Sequence, residues 1–100
     1  MVIPSVYNGV AVTAIADGAF RLNESIARVV ITDGIVSIGY QAFYKCRSLT
    51  SVVIGSGVRF VDKYAFYGCN ILSTVEYNGA NWGAITFEKY NDPILKATRI

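Results

Sequence analysis

The segment that decides the fold is IGYQAFYKCRSLTSVVIGSGVRF, residues 38–60, because similar segments stand at equal distances before and after it. The earlier copy, IADGAFRLNESIARVVITDGIVS, begins at Ile15, and the later one, VDKYAFYGCNILSTVEYNGANW, begins at Val61. Their large apolar positions coincide at Ile15, Ile38 and Val61; Ala19, Ala42 and Ala65; Phe20, Phe43 and Phe66; Ile26, Leu49 and Leu72; Val29, Val52 and Val75; and Ile31, Ile54 and Tyr77. A fixed period of this length is typical of repeat architectures and predicts a solenoid of stacked coils.

Within each copy the spacing of apolar residues predicts the local elements. Leu49, Val52 and Ile54 would point inward from a bend that is followed by a strand at residues 50–54, and the other copies repeat this pattern. The strand is followed by a turn dipeptide, Asp33-Gly34 or Ser56-Gly57. Each coil therefore contains one parallel strand followed by a tight turn.

The remainder of each copy predicts a second strand and a helical turn. The β-branched segments Ile35–Ile38 and Val58–Val61 are suited to short strands. Asp17 and Asp62 precede the Ala-Phe segments, where each carboxylate could cap a single helical turn that directs Ala and Phe into the core.

The flanks of the repeats predict covers for the end coils, whose apolar faces and strand edges would otherwise be exposed. Tyr7-Asn8-Gly9 resembles a hairpin turn that would let Ile3 and Val10–Ile15 pair with the first full coil. At the other end Trp82, Ile85, Phe87, Tyr90 and Leu95 depart from the period but remain hydrophobic. We expect one domain over residues 1–100, with an N-terminal flank at 1–14, repeats at 15–37, 38–60 and 61–78, and a C-terminal cap at 79–100.

The motif VTAIADGAF and its counterparts VSIGYQAFYKCRSLTSVVI and VRFVDKYAFYGCNILSTV resemble the BspA-like leucine-rich repeats of bacterial, and some protozoan, surface proteins. The resemblance extends over residues 10–77 and meets that family's pattern at nearly every site. It implies an α/β, β-rich, right-handed leucine-rich-repeat solenoid of about three 23-residue coils with parallel strands, short helical turns and terminal caps.

The same resemblance implies attachment without catalysis. It predicts a non-catalytic adhesion or protein-binding module of a bacterial cell-surface or secreted protein, located outside the cell, with a protein or glycan partner on a host or neighbouring cell. The alternatives are a structural spacer and a self-association module without a specific ligand. The family supplies no fixed ligand-binding residues that could be transferred to this sequence.

Composition limits the other classes of partner. The net charge of +2 comes from nine Lys and Arg and seven Asp and Glu that are scattered along the chain, so no basic stripe indicates nucleic-acid binding. Charged residues such as Arg28, Lys45 and Asp62 interrupt every apolar run before it reaches the roughly 18 residues of a membrane span, so we expect no membrane insertion. The segment starts without the pattern of a signal peptide.

The two cysteines occupy one repeat site, so Cys46 and Cys69 should lie about 4.8 Å apart, one coil from each other. That spacing lies within the range for a disulfide, but side chains stacked in a parallel ladder point the same way. We therefore expect free, buried thiols and keep the disulfide as the alternative. Two cysteines without histidine match no four-ligand zinc pattern, and we expect no cofactor or metal.

Catalysis is disfavoured because the chain contains no histidine. It therefore lacks the usual general base at neutral pH and cannot form a Ser-His-Asp or Cys-His arrangement. The carboxylates fall in turns or near the ends and form no facing pair in adjacent coils. We expect that the protein is not an enzyme.

Two surfaces remain as candidate partner-binding sites. The first is formed by outward strand positions, in one row of Arg28, Ser51 and Thr74 and a second row of Val30, Val53 and Glu76. The second comprises the tyrosines that the register brings together, Tyr40, Tyr44, Tyr64 and Tyr67. Tyrosine favours interfaces, although these rings could instead cover the seams between coils, and the strand rows could be ordinary solvated surface.

Overall fold

The computed structural model describes residues 1–100 and contains eleven short strands and almost no helix. In chain order the strands are β1 (Val2–Ile3), β2 (Val6–Tyr7), β3 (Val10–Ala11), β4 (Ala14–Ile15), β5 (Arg28–Ile31), β6 (Ser37–Ile38), β7 (Ser51–Ile54), β8 (Phe60–Val61), β9 (Thr74–Tyr77), β10 (Thr86–Phe87) and β11 (Thr98–Arg99). A single 3₁₀ turn, Trp82–Ala84, and one short helix, α1 (Asp92–Lys96), both lie near the C-terminus.

The strands form two parallel sheets that run along the solenoid. One has the order β1-β5-β7-β9-β11 and the other β10-β8-β6-β4. The register places Val29 beside Val52 and Val52 beside Val75, so equivalent repeat positions stack on one another. The predicted solenoid with parallel strands is confirmed, but β6 and β8 are shorter than predicted.

The core is a set of ladders made by the repeated apolar positions. A cluster of 22 buried residues extends from Ile3 to Ala97. At its centre the ring of Phe43 is fully buried between the rings of Phe20 and Phe66, each 5.2 Å away between centroids and nearly parallel. Because parallel strands repeat every ~4.8 Å, identical side chains in register stack face to face and fill the interior.

The predicted helical turns are wrong. We refer to residues 16–27, 39–50 and 62–73 as the first, second and third turn segments; each contains consecutive turns and no helix. Alternate amides bond back within their own turn, as in Ala42 N to Gly39 O, while the amides between them cross to the next coil, as in Phe43 N to Ala65 O at 2.7 Å. A helix would direct every amide back along its own turn, so coil-to-coil bonding and helix formation exclude each other here.

The carboxylates that were expected to cap those helical turns have other partners. Asp17 Oδ1 accepts from the amide of Tyr40 in the following coil at 2.9 Å, and so ties two coils together. Asp62 Oδ1 accepts from the adjacent amide of Lys63. Neither carboxylate caps a helix, because no helix follows it.

Left-handed backbone residues make this geometry possible. They recur at two sites of each turn segment, namely Gly18, Gln41 and Tyr64, and Leu22, Lys45 and Gly68, with φ from 53° to 77°. Such residues reverse the local twist, which lets neighbouring amides point in different directions. Residues other than glycine rarely adopt a positive φ. Here such residues adopt it at equivalent sites of successive turn segments, so the coil-to-coil hydrogen bonds determine the local conformation.

The N-terminal flank contributes strands and a hairpin. The predicted turn at Tyr7-Asn8-Gly9 is confirmed: β2 and β3 pair antiparallel around Asn8 and Gly9, whose φ values of 50° and 77° fit a tight hairpin loop. Ile3 pairs with Ile31 as expected. Of the segment Val10–Ile15, only its end, β4, pairs with the first full coil; β3 pairs within the hairpin.

The C-terminal cap continues the solenoid with a shifted period. β10 pairs with β8, Phe87 beside Val61, and this step along the chain is longer than the step from Ile38 to Val61 within the repeats. β11 then pairs with β9. Because both flanks supply strands to the sheets, the solenoid has about four turns where the sequence predicted three coils.

Candidate binding surfaces

The two predicted strand rows exist in the predicted register. Arg28 lies beside Ser51 and Ser51 beside Thr74, and the Nη1 of Arg28 donates to Ser51 Oγ at 3.4 Å. Arg28 is exposed, while Ser51 and Thr74 are half-buried. This row offers a polar surface with one charge.

The second strand row is less accessible than its outward direction suggested. Val53 lies between Val30 and Glu76 in register and is only 5% exposed, so its prediction as a contact residue is wrong. Val30 and Glu76 are half-buried. Because the centre of the row is covered, the strand face presents little continuous area to a partner.

The predicted tyrosines form a compact cluster on the turn segments. Tyr44 and Tyr67 stack at 5.4 Å between ring centroids, and Tyr64 meets Tyr40 and Tyr67 edge to face at 5.9 and 5.3 Å. Tyr90 stacks on Tyr64 at 4.6 Å. We name these five residues the tyrosine cluster. Tyr40, Tyr67 and Tyr90 are 41%, 41% and 51% exposed, so the cluster both covers the seams and remains open to solvent.

Two cationic side chains lie against the tyrosine cluster, and its central hydroxyl group stays protonated. The guanidinium of Arg21 and the ammonium of Lys45 lie 5.3 and 5.4 Å from the ring centre of Tyr44, within range for cation–π attraction. Loss of hydration raises the pKa of the Tyr64 hydroxyl, and the neighbouring tyrosines act in the same direction. The Tyr64 hydroxyl at the centre of the cluster therefore remains a neutral hydrogen-bonding group at physiological pH.

Tyr90 belongs to the cluster, although its departure from the period predicted a place in the cap alone. A signal for its position exists, since Phe87-Glu88-Lys89-Tyr90 matches Val61-Asp62-Lys63-Tyr64 at a spacing longer than that of the repeats. The backbone confirms the equivalence, because Tyr90 has a φ of 70° and Tyr64 one of 61°. A search for copies at the spacing of the repeats alone misses this match, because these two segments lie further apart.

A groove opens beside the tyrosine cluster at the C-terminal end of the solenoid. Its volume is about 930 Å³, and we name it the end groove. One wall is formed by the second and third turn segments, with Lys45, Arg47 and Tyr67, and the other by the cap, with Lys89 and Tyr90. This volume lies within the usual range for ligand pockets. The groove was not predicted from the sequence.

The two cysteines are free thiols inside the core. Cys46 Sγ donates to Phe20 O at 3.2 Å, and Cys69 Sγ donates to Phe43 O at 3.1 Å, so both point towards the preceding coil. The adjacent Cys46 thiol and burial hold the pKa of the Cys69 thiol above its ordinary value. Asn23 replaces cysteine in the first coil, where its Oδ1 accepts from the amides of Ser25 and Ile26.

Few other polar side chains are grouped in clusters or ion pairs. No group of three or more His, Cys, Asp or Glu side chains is placed to hold a metal ion. The one ion pair joins Lys96 to Asp92 at 3.8 Å, and both side chains are well exposed. None of the helices has the length and apolar character that a membrane span requires.

Comparison with protein families finds one match, which covers most of the chain. The model for the BspA type leucine-rich repeat region matches residues 11–91 in six copies. The match includes all three turn segments and the tyrosine cluster. No curated protein matches the sequence.

Two solved structures share the fold. A leucine-rich repeat protein from Bacteroides capillosus superimposes with a TM-score of 0.79 at 23% identity, over 99% of this chain and 75% of that one. The leucine-rich repeat protein of T. pallidum gives a TM-score of 0.73 at 23% identity. The match covers 86% of this chain but only 49% of the T. pallidum protein, so this chain spans about half of that protein's length. At this identity the likeness establishes the fold and leaves the ligand open.

Proposed function

The chain belongs to the BspA-type leucine-rich repeat family, and from that premise we propose that it is a non-catalytic binding module of a bacterial cell-surface or secreted protein. Its partner is a protein or glycan on a host or neighbouring cell. The tyrosine cluster, with Tyr40, Tyr44, Tyr64 and Tyr67 as its predicted members, makes the contact. The observation that carries this proposal is the contiguity of five tyrosines from successive turns, with centroid distances of 4.6 to 6.3 Å.

The energetics of association support the choice of this surface. Tyrosine side chains present a large contact area with little rotameric freedom to lose, and their hydroxyl groups accept and donate hydrogen bonds. Here each ring is already held by its neighbours, so binding would order few new groups. Preorganisation of this kind lowers the entropic cost of association.

The strand rows are the weaker candidate. Val53 is covered, Arg28 and Glu76 are the only charged members, and no aromatic ring lies in either row. Interface centres are typically enriched in aromatic residues. We therefore assign the strand rows a supporting or purely structural role.

A direct comparison of the two surfaces tests the proposal. The intact domain is screened against immobilised extracellular-matrix proteins and glycans, and the dissociation constant is measured for each partner found. The double variant Tyr40→Ser, Tyr67→Ser should raise that constant by about thirtyfold, because aromatic contacts at an interface centre contribute ~2 kcal/mol.

The matched control for this experiment is Arg28→Ala, Thr74→Ala on the first strand row, which should change the constant less than about twofold. Thermal melting checks that both variants are folded. If the strand-row variant loses binding and the tyrosine variant keeps it, the contact surface has been assigned to the wrong face. If a broad screen finds no partner, the spacer alternative replaces the binding function.

A further inference from the structure

The end groove occupies the place where a further turn segment would stack on the third one. In the first two turn segments the amide at one left-handed site donates to the next coil: Leu22 N to Tyr44 O at 2.7 Å, and Lys45 N to Tyr67 O at 2.6 Å. The equivalent residue of the third turn segment is Gly68, which lines the groove. Its amide donates no hydrogen bond within the chain.

The cap explains why this one amide is left without a partner. Lys89 O accepts from Tyr64 N at 3.3 Å, and Asn91 Oδ1 accepts from Phe66 N at 3.0 Å, so the first two outward amides of the third turn segment are satisfied. After Asn91 the chain enters α1 and leaves the path of the preceding coils. An unpaired amide in a groove favours an oxygen acceptor at this point.

The charges around Gly68 favour an anionic acceptor. Lys45, Arg47 and Lys89 line the groove, and none of them forms an ion pair with a carboxylate. Of the two acidic lining residues, Asp92 is paired with Lys96 at 3.8 Å, which leaves Glu88 as the single uncompensated carboxylate. The groove therefore carries an excess of positive charge that attracts carboxylates.

An aromatic platform lies beside these groups. Tyr67 stacks on Tyr44 at 5.4 Å and is 41% exposed where it lines the groove. Along the axis the order is Arg21, Tyr44 and Tyr67, followed by the groove itself. A side chain that enters the groove can extend this stack by one member.

We propose that the end groove binds an acidic peptide segment of the partner, with a carbonyl or carboxylate oxygen accepting from Gly68 N and an apolar or aromatic side chain on Tyr67. The inference rests on the proposed function and names the chemistry of its partner. A peptide fits better than a glycan because, in both preceding coils, the acceptor at this position is a peptide carbonyl of a tyrosine, Tyr44 or Tyr67. Main-chain hydrogen bonds and the capture of a carboxylate by backbone amides are recurring modes of peptide recognition.

The test follows the Gly68 amide in the intact chain by amide correlation NMR. The probe is a blocked pentapeptide of alternating Asp and Tyr, and the matched probe has Asn in place of Asp. We expect the Asp peptide to move the Gly68 amide downfield, as hydrogen bonding does, and the Asn peptide to bind at least about tenfold more weakly, a loss of ~1.4 kcal/mol. A trisaccharide of uronic acid serves as the glycan probe.

Two charge reversals locate the peptide site. Arg47→Glu, an exposed groove residue without a hydrogen bond, should weaken binding of the Asp peptide about tenfold or more. Arg59→Glu makes the same change of charge outside the groove lining and should alter binding less than about twofold. Arg47→Gln is the milder second variant, and melting curves confirm that each protein is folded.

Four outcomes overturn the inference: a Gly68 amide that does not move at peptide concentrations up to about 1 mM, equal binding of the Asp and Asn peptides, equal effects of the two charge reversals, or a Gly68 shift caused by the trisaccharide and not by the peptide. These results are separable from failure of the proposed function. If the tyrosine variant loses its partner while the peptide test fails, the binding module stands and only the groove chemistry is wrong.

Discussion

The two ends of the solenoid are closed to different degrees. At the C-terminal end the cap covers the third turn segment, and Phe66 and Ala65 are fully buried. At the N-terminal end the flank covers the strands of the first coil but not its turn segment, so Phe20 is half-buried and Ala19 is exposed. Burial of a repeat position therefore depends on its place in the stack as much as on the motif.

The backbone shows the same contrast. The carbonyls of Asp17, Ala19 and Arg21 accept no hydrogen bond, although their equivalents in the second turn segment each accept one from the preceding coil. The hairpin adds exposed Val6, Tyr7 and Val10 to this end. The N-terminal end thus presents acceptors and apolar groups, and it is the surface on which the self-association alternative depends.

The largest expected effect separates the middle of the stack from its open end. Phe43→Ala should lower the free energy of unfolding by about 3–5 kcal/mol, because the ring is buried between two others. Phe20→Ala removes the same side chain at a half-buried position and should cost about 1–2 kcal/mol. Denaturant unfolding of both variants measures the difference.

Equal losses for the two phenylalanines would contradict the comparison, because they would show that the first turn segment is covered in solution. Sedimentation at increasing concentration then identifies the cover. A dimer that dissociates on dilution would support self-association through the N-terminal end.

The next largest loss of stability is expected at the C-terminal end, where the cap covers the third turn segment. Asn91 is fully buried; its Oδ1 accepts from Phe66 N, and its Nδ2 donates to Asp62 O and Glu88 O at 2.9 Å. Asn91→Ala should lower the free energy of unfolding by about 3 kcal/mol, because it leaves buried backbone groups without partners. Thermal and denaturant melts measure this loss.

Asn91→Asp sharpens the same prediction. It keeps the acceptor for Phe66 N but loses the two donors and buries a carboxylate, so it should also destabilise the fold. If both variants unfold like the parent, the cap is not held by this side chain.

The smallest loss of stability is expected at the N-terminal end, where the hydroxyl group of a serine makes the comparable hydrogen bonds. Ser5 Oγ lies 2.6 Å from Thr32 Oγ1 and accepts from Gly34 N at 2.9 Å, in a half-buried position. Ser5→Ala should cost about 1 kcal/mol, because water can replace the lost partner there. A loss as large as that of Asn91→Ala, measured by the same denaturant melts, would mean that the two ends are equally closed.

The repeat was predictable because its information is redundant. Each core site occurs three times, so Phe20, Phe43 and Phe66 identify their register even where single residues vary. The strands β5, β7 and β9 lie close to the predicted segments for this reason. The hairpin around Asn8 and Gly9 was predictable from its local turn chemistry.

The turn segments were not predictable from composition. Only two of their six left-handed residues are glycine, and Gln41, Lys45, Tyr64 and Leu22 give no local signal for a positive φ. Their conformation results from hydrogen bonds to the neighbouring coil, which are tertiary contacts. Four members of the tyrosine cluster followed from the register alone, whereas the position of Tyr90 depends on the shifted period of the cap. The end groove depends on that shifted period and on the path of α1.

The direction of the coil-to-coil bonds in the turn segments has a consequence for the electrostatics of longer arrays. Of the eight backbone bonds that join one turn segment to the next, six place the amide in the earlier coil and the carbonyl in the later one, as in Gly18 N to Tyr40 O and Gln41 N to Lys63 O. The other two, Thr50 N to Ala27 O and Ser73 N to Thr50 O, run in the opposite direction. Aligned peptide groups add their dipoles, as they do along a helix. The turn segments therefore give the solenoid an axial dipole whose positive pole lies at the C-terminal end, and every additional coil lengthens it.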